Sequence, residues 1–300
     1  MVTSREQRHR RSPHRFGGRA ALPVECADIL PGFARMQLKE IRYDVRDSVA
    51  WVTLNKPEKL NAMSWGNWAE IEQCMAAAEA DDAVRCVVIT GEGRGFCAGT
   101  DLTGQGTEAE WPPRAHSGRT GKVRTRFLAT ADIYRCKKPT IAGLNGVAAG
   151  AGFSLAVSCD IRFASDQARL TTVFRNRGIV ADTGSTWLLP RLVGPSVAMD
   201  LLYTARMVGA EEALKIGLVN YVVPHDDFRA KLEEYARSIA HGPSLALELD
   251  KTLVQSWMER SLEDQVEREQ FLQGYTSGSE DAKEGRMAFV EKRDPQFKGR

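Results

Sequence analysis

Two stretches of this 300-residue sequence concentrate glycine and alanine directly after short apolar runs. The first is Gly91-Glu92-Gly93-Arg94-Gly95-Phe96-Cys97-Ala98-Gly99-Thr100-Asp101-Leu102, behind Cys86 to Thr90. The second runs from Asn145-Gly146 through Gly150-Ala151-Gly152 to Ala156 and closes on Cys159-Asp160, behind Pro139 to Leu144. Residues this small let a ligand approach the backbone closely. Two such turns facing each other present two free N–H groups to one oxygen, an arrangement that stabilises a thioester oxygen as it becomes an enolate. The same residues also permit tight packing with no ligand, and spacing alone leaves both readings open.

Other chemistries fail on their own patterns. Gly91-x-Gly93-x-Gly95 follows a strand but is not G-x-G-x-x-G and opens no helix, which argues against dinucleotide binding. No G-x-S-x-G elbow occurs, and Lys56 to Met63 holds no phosphate-binding loop. Six cysteines show no C-x-x-C spacing and five histidines are scattered, so no metal site is expected and a reducing, cytoplasmic setting is. No apolar run approaches the ~18 residues of a membrane span.

The elements that must position the two turns are readable from periodicity. Ile41 to Leu54 reads as a hairpin about Asp47-Ser48, and Ser64 caps a helix that buries Trp68, Ile71, Met75 and Ala78. Residues 103–122 read as a polar surface loop and 123–135 as a helix. Ala148 to Val157 reads as a buried helix, Ile161–Ala164 and Arg169–Val173 as strands. Helices are expected over 196–216, 227–240, 244–258, 261–276 and 279–291. Strand–helix repeats first and helices last imply an α/β body over 37–225 with mostly parallel strands, then a helical subdomain over 226–300, with linker character at Val222 to Asp227. Residues 1–36 carry seven Arg against Glu6, Glu25 and Asp28, a net +4 that leaves −2 for the rest. They read as a basic, disordered extension with no secretory apolar core, and the body is not basic enough for a nucleic-acid surface.

The two turns, together with Asn55-Lys56-Pro57, Leu60-Asn61-Ala62 and the C-terminal Pro295-Gln296-Phe297, resemble the crotonase (enoyl-CoA hydratase/isomerase) superfamily over residues 36–300. The resemblance implies a spiral of ββα repeats with a C-terminal trimerisation subdomain, an acyl-CoA substrate, and a homotrimer or dimer of trimers without nucleic-acid or membrane partners. No cofactor is implied, coenzyme A being part of the substrate. The backbone amides of Thr100 and Ala151 would form the oxyanion hole. Lys59, Leu60, Ala62, Ala98, Asp101, Leu102 and Gly150 match coenzyme A contacts, as do Phe289 and Lys292, often supplied by a neighbouring subunit.

The sequence departs from the hydratase pattern. The two water-activating glutamates are replaced by Ser154 and Phe174, neither of which is a base near neutral pH. Asp182 instead matches a position that is acidic in dienoyl-CoA isomerases and in the phenylacetate-pathway epoxyphenylacetyl-CoA isomerases, the branch this sequence most resembles. The implied activity is isomerisation with Asp182 as base, its pKa raised by Ile179, Trp187 and Leu188. The bland alternative is that Asp182 caps the following helix. A hydratase with atypical acids and an inactive coenzyme A-binding protein are the other readings. Cys97 reads as packing, Asp160 as structural, His116 as a loop residue and Asp101 as the anchor of its loop.

Overall fold

In a computed structural model the structure describes residues 36, 38–101 and 129–300. Ile41–Arg46 (β1) and Val49–Leu54 (β2) form the expected hairpin. Asp47 and Ser48 both take positive φ (50° and 61°), the tight two-residue turn whose twist matches its strands. Ser64 caps Trp65–Ala80 (α1) through a reciprocal pair with Asn67.

Three strand–strand–helix units follow: Cys86–Gly91 (β3), Gly95–Cys97 (β4) and Ala129–Arg135 (α2); Thr140–Leu144 (β5), Val147–Ala149 (β6) and Ala151–Ser158 (α3); Ile161–Ser165 (β7), Arg169–Thr171 (β8) and Ser185–Thr204 (α4). Each unit gives its first strand to one sheet and its second to another. Val208–Gly209 (β9), Ala210–Lys215 (α5) and Tyr221–Val223 (β10) complete both sheets. The large sheet has the order β1-β2-β3-β5-β7-β10, parallel beyond the hairpin, and the small one β4-β6-β8-β9.

Alternation along the central strands splits the core in two. Ala50, Val52, Leu54, Val87 and Ile89 face the main core with α1 and α3. Val49, Trp51, Cys86 and Val88 face Phe228, Leu232 and Ala236 of His225–Ala240 (α6). With both faces covered, β2 is buried at every residue, as parallel sheets require. Ser244–Ser256 (α7), Leu262–Ser277 (α8) and Glu280–Glu291 (α9) end the chain. Arg85 ties them back, donating to Ser244 Oγ (2.6 Å), the Gly242 carbonyl (2.6 Å) and the Phe297 carbonyl (3.1 Å). Among the described residues no helix is long and apolar enough to cross a membrane.

Three expectations change. Val147–Ala149 is a strand, so the buried helix starts only at Ala151, after Gly150 at φ 53°. The segment 196–216 is not one helix: α4 begins at Ser185, breaks at Gly194 (φ 77°, ψ 157°) before Pro195, and α5 is separate. Val222–Val223, read as linker, lies in edge strand β10 beside β7. Residues 102–128, with the expected loop and His116, lie outside the described residues, as do 1–35.

Asp160 acts as the structural residue expected. Its Oδ2 accepts from the Thr140 amide (2.8 Å), the Thr140 hydroxyl (2.9 Å) and Lys251 Nζ of α7 (2.7 Å). The Lys251 side chain is only 9% exposed. Removing one partner of such a pair strands the other, at a cost of about 3–5 kcal/mol. Asp160→Ala is therefore expected to lower the unfolding free energy by that amount, read as a lower urea midpoint at an unchanged slope; an unchanged midpoint would show that Lys251 needs no anion there.

Candidate active site

The small sheet delivers both glycine-rich turns to one place. β4 pairs in parallel with β6, so the chain leaves both strands side by side. The turns then touch. A Cβ on Gly152 would stand 2.2 Å from the Cys97 carbonyl oxygen. A Cβ on Gly99, at φ 98°, would stand 2.8 Å from the Ala149 carbonyl oxygen and 3.7 Å from the Ala151 nitrogen. Only glycine fits such an approach.

This junction carries two unpaired donors. Met63 bridges across Thr100, its N–H donating to the Gly99 carbonyl (2.7 Å) and its carbonyl accepting from the Asp101 N–H (2.9 Å). A parallel bridge of this kind uses the residues flanking Thr100 and turns Thr100's own N–H to the opposite side. Ala151 opens α3, where an N–H has no intrahelical acceptor. Among the described residues neither amide has a partner, whereas Gly150 N–H bonds the Thr171 carbonyl at 3.1 Å. Tight packing and a pair of free donors are therefore the same feature here: the packing brings the two amides together.

The neighbouring loop is held by side chains. Leu60 and Asn61 take positive φ (50° and 57°). Asn61 accepts from the Lys56 amide (2.8 Å) and donates to the carbonyls of Gly95 (2.7 Å) and Glu92 (3.0 Å). Ala98 N–H bonds the Leu60 carbonyl at 2.9 Å, and Ala62 N–H the Lys59 carbonyl at 3.1 Å. Asp101, its side chain 5% exposed, receives Lys59 Nζ at 2.7 Å and Lys56 Nζ at 3.6 Å. Lys56 also meets Glu40 at 2.7 Å, and this carboxylate outweighs partial burial to hold its pKa above the ordinary lysine value. Burial pushes the Cys97 thiol up to about 12, which fits packing and not nucleophilic attack.

Asp182 sits just before α4. The helix cap is Gly184, with no side-chain cap. The Asp182 carbonyl, not its carboxylate, accepts from the Ser185 N–H (3.1 Å) and hydroxyl (2.7 Å). The carboxylate accepts from the Thr183 hydroxyl at 3.2 Å. Solvent reaches it, yet the protein around it strips part of its hydration and raises its pKa, against the Thr183 hydrogen bond. Ile179 and Trp187, expected as its apolar surroundings, are themselves exposed.

The family model for enoyl-CoA hydratase/isomerase matches residues 44–300. The chain belongs to this family, the crotonase superfamily. It is 36% identical to the 1,2-epoxyphenylacetyl-CoA isomerase of Escherichia coli over 85% of this chain and 97% of that one. It is 33% identical to the short-chain-enoyl-CoA hydratase of Clostridium acetobutylicum, covering 88% of this chain and all of the other. Among solved structures it is similar to the enoyl-CoA hydratase of Bacillus anthracis, with a TM-score of 0.78, 30% identity, and coverage of 87% of this chain and 100% of that chain. The two sheets built from strand–strand–helix units are thus the crotonase fold, and the chain is an acyl-CoA enzyme of that family.

In this crotonase chain Ser154, expected where hydratases carry a water-activating acid, is wholly buried, with its hydroxyl 3.2 Å from both the Gly150 carbonyl and Ser185 Oγ and 3.4 Å from the Asp182 carbonyl. Phe174, expected at the second such position, is buried behind Val173, a β-branched residue at φ 46°. The structure brings Lys59, Leu60, Ala62, Ala98, Thr100, Asp101, Gly150 and Ala151 into one region. Leu102 lies outside the described residues. Phe289 stands exposed on α9 beside residues of the C-terminal helices, and Lys292 ends that helix at φ 55°. The sequence reading missed Lys56 as a second ammonium on Asp101, although its Asn-Lys-Pro motif was in view, and missed the serine pair that fixes Asp182.

Gly99→Ala tests the junction. Its Cβ would press on the Ala149 carbonyl and displace the adjoining Thr100 amide, and losing one oxyanion donor costs about 10²–10³-fold in kcat. Turnover of an enoyl-CoA is expected to fall by that factor, with a stability loss of about 1–3 kcal/mol. Wild-type turnover in a folded variant would exclude the Thr100 amide.

Proposed function

We propose that this chain is an enoyl-CoA isomerase, or a ring-epoxide acyl-CoA isomerase, working by proton transfer. The observation that carries this is the Asp182 carboxylate, which is partly desolvated and not used as a helix cap, while Ser154 and Phe174 stand where water would be activated. The Thr100 and Ala151 amides hold the thioester oxygen. Asp182 removes a proton from one carbon, and the electron pair moves through the acyl group onto that oxygen as a dienolate. The carboxyl proton, open to exchange with solvent at this exposed side chain, is delivered to another carbon, the double bond shifts, and Asp182 is again a carboxylate. One base suffices because nothing is added or lost.

Coenzyme A enters as part of the substrate, with no separate cofactor, along Lys59, Leu60, Ala62, Ala98, Asp101, Leu102 and Gly150. Phe289 and Lys292 act on a neighbouring chain's site in a homotrimer or dimer of trimers, with 226–300 as the associating part beside a 37–225 core. Exposed Phe271 and Tyr275 on α8, and Phe289 and Val290 on α9, support such association. The reaction is placed in the cytoplasm, in keeping with five buried, unpaired cysteines among the described residues. The hydratase names among its relatives favour a second reading, in which water is added with acids other than the usual pair.

Incubation with 2-enoyl-CoA and 3-enoyl-CoA in deuterated water separates the two. Deuterium uptake with a moved double bond and no added water is expected; addition of one water would overturn the isomerase reading. Asp182→Asn is expected to lower turnover about 10²–10⁴-fold. The base must be ionised, so kcat/KM should fall as pH drops through a pKa above the ordinary aspartate value, in the direction of its shift. That acid limb should vanish in the variant; near wild-type activity in it would remove Asp182 from the mechanism.

A further inference from the structure

Away from the amide pair, a half-open pocket of about 400 Å³ lies between α7 and α2, α4 and the far end of α3. Leu188, Leu192, Leu247 and Val254 line it beside Tyr134 and Trp187. Exposed Trp187, Val254, Trp257 and Met258 open it to solvent. Its size falls in the range of small-molecule sites, about 300–1,000 Å³.

Polar ties keep the space open. Lys251 of α7 reaches Asp160 (2.7 Å) and the Lys138 carbonyl (3.1 Å), and Gln255, one turn later, donates to the Tyr134 carbonyl. These bonds set the distance of α7 from the body, so the apolar side chains on the two sides do not close on each other. The cavity is also distinct from the amide pair. Thr100, Ala151 and Asp182 do not line it, and Val157, which does, lies about 9 Å along α3 from Ala151 at 1.5 Å per residue.

One wall carries an available cation. The Arg191 guanidinium lies 3.6 Å over the Trp187 ring, and Tyr134 meets that ring edge-on at 5.1 Å and 84°. Arg191 donates to the Trp187 carbonyl (2.8 Å), but among the described residues it pairs with no carboxylate, and the Tyr134 hydroxyl has no partner. Asp160 is engaged by Lys251, and Asp250 at the rim is exposed without an ion pair to Arg191. A planar guanidinium beside an apolar chamber suits a carboxylate with a hydrocarbon body.

We propose that this cavity is a second binding site, for an apolar monocarboxylate whose hydrocarbon or aryl body fills the chamber and whose carboxylate meets Arg191. The proposal does not depend on the role given to Asp182.

Isothermal titration of the whole chain with octanoate tests it, with 1-octanol as the neutral counterpart and Arg191→Met and Val254→Trp as variants. Both replaced side chains are exposed, so the fold should survive. Saturable one-to-one octanoate binding is expected, with octanol weaker. Arg191→Met should weaken octanoate about tenfold, the worth of a charged hydrogen bond, and leave octanol unchanged. Val254→Trp, which crowds the cavity, should weaken both. Saturating free coenzyme A should leave octanoate binding unaltered. Absence of saturation, equal affinity in both variants, or displacement by coenzyme A would each overturn the proposal, the last by moving octanoate to the thioester site.

Discussion

The contact on which the rest of the site depends is backbone against backbone, where the Cys97–Thr100 turn meets the start of α3. The space between the Cys97 carbonyl and Gly152 is too small for a methyl group, and the same holds between the Ala149 carbonyl and Gly99. A single methyl at either position would force the two chain segments apart, and the interior around them is too densely packed to absorb the shift cheaply. The wholly buried Phe96 and Phe153 flank this contact. The site is thus rigid because the core is rigid there, and preorganised donors act on charge only when they need not move.

The electrostatics follow from that placement. Ala151 is at the positive end of a short buried helix, and Thr100 leaves a strand-like bridge with its N–H turned outward. Neither donor is a side chain, so neither titrates. Charge on the neighbouring loop is instead paired among Lys56, Lys59, Glu40 and Asp101. In the proposed reaction an anionic coenzyme A draws on Lys59, while the developing oxyanion meets the amides.

Local signals account for most of what was legible in the sequence. The hairpin turn at Asp47-Ser48, the Ser64 cap and the C-terminal helices each follow from residues close in sequence. The two glycine-rich turns were also visible, because a requirement for no side chain is written in composition. What failed to show was set by distant partners. Val147–Ala149 looks helical by composition and becomes a strand because Gly95–Cys97 and Arg169–Thr171 lie on either side of it. Val222–Val223 looks like a linker and becomes an edge strand because β7 offers a free side. The α7 cavity depends on an Asp160–Lys251 pair 91 residues apart, which no local pattern could announce.

Replacing an acid by Ser154 changes what the buried end of the site does. A carboxylate there would need water or a counter-charge to be tolerated in the core. The serine hydroxyl needs neither. It completes a set of short-range polar contacts with Ser185 and the carbonyls of Gly150 and Asp182. The first of those carbonyls precedes the Ala151 amide, and the second belongs to the remaining acid. One buried hydroxyl therefore ties the donor turn to the backbone of the segment that bears the exposed Asp182 carboxylate. The proposed shuttle of one proton between two carbons depends on the spacing of these two segments more than on a second acid.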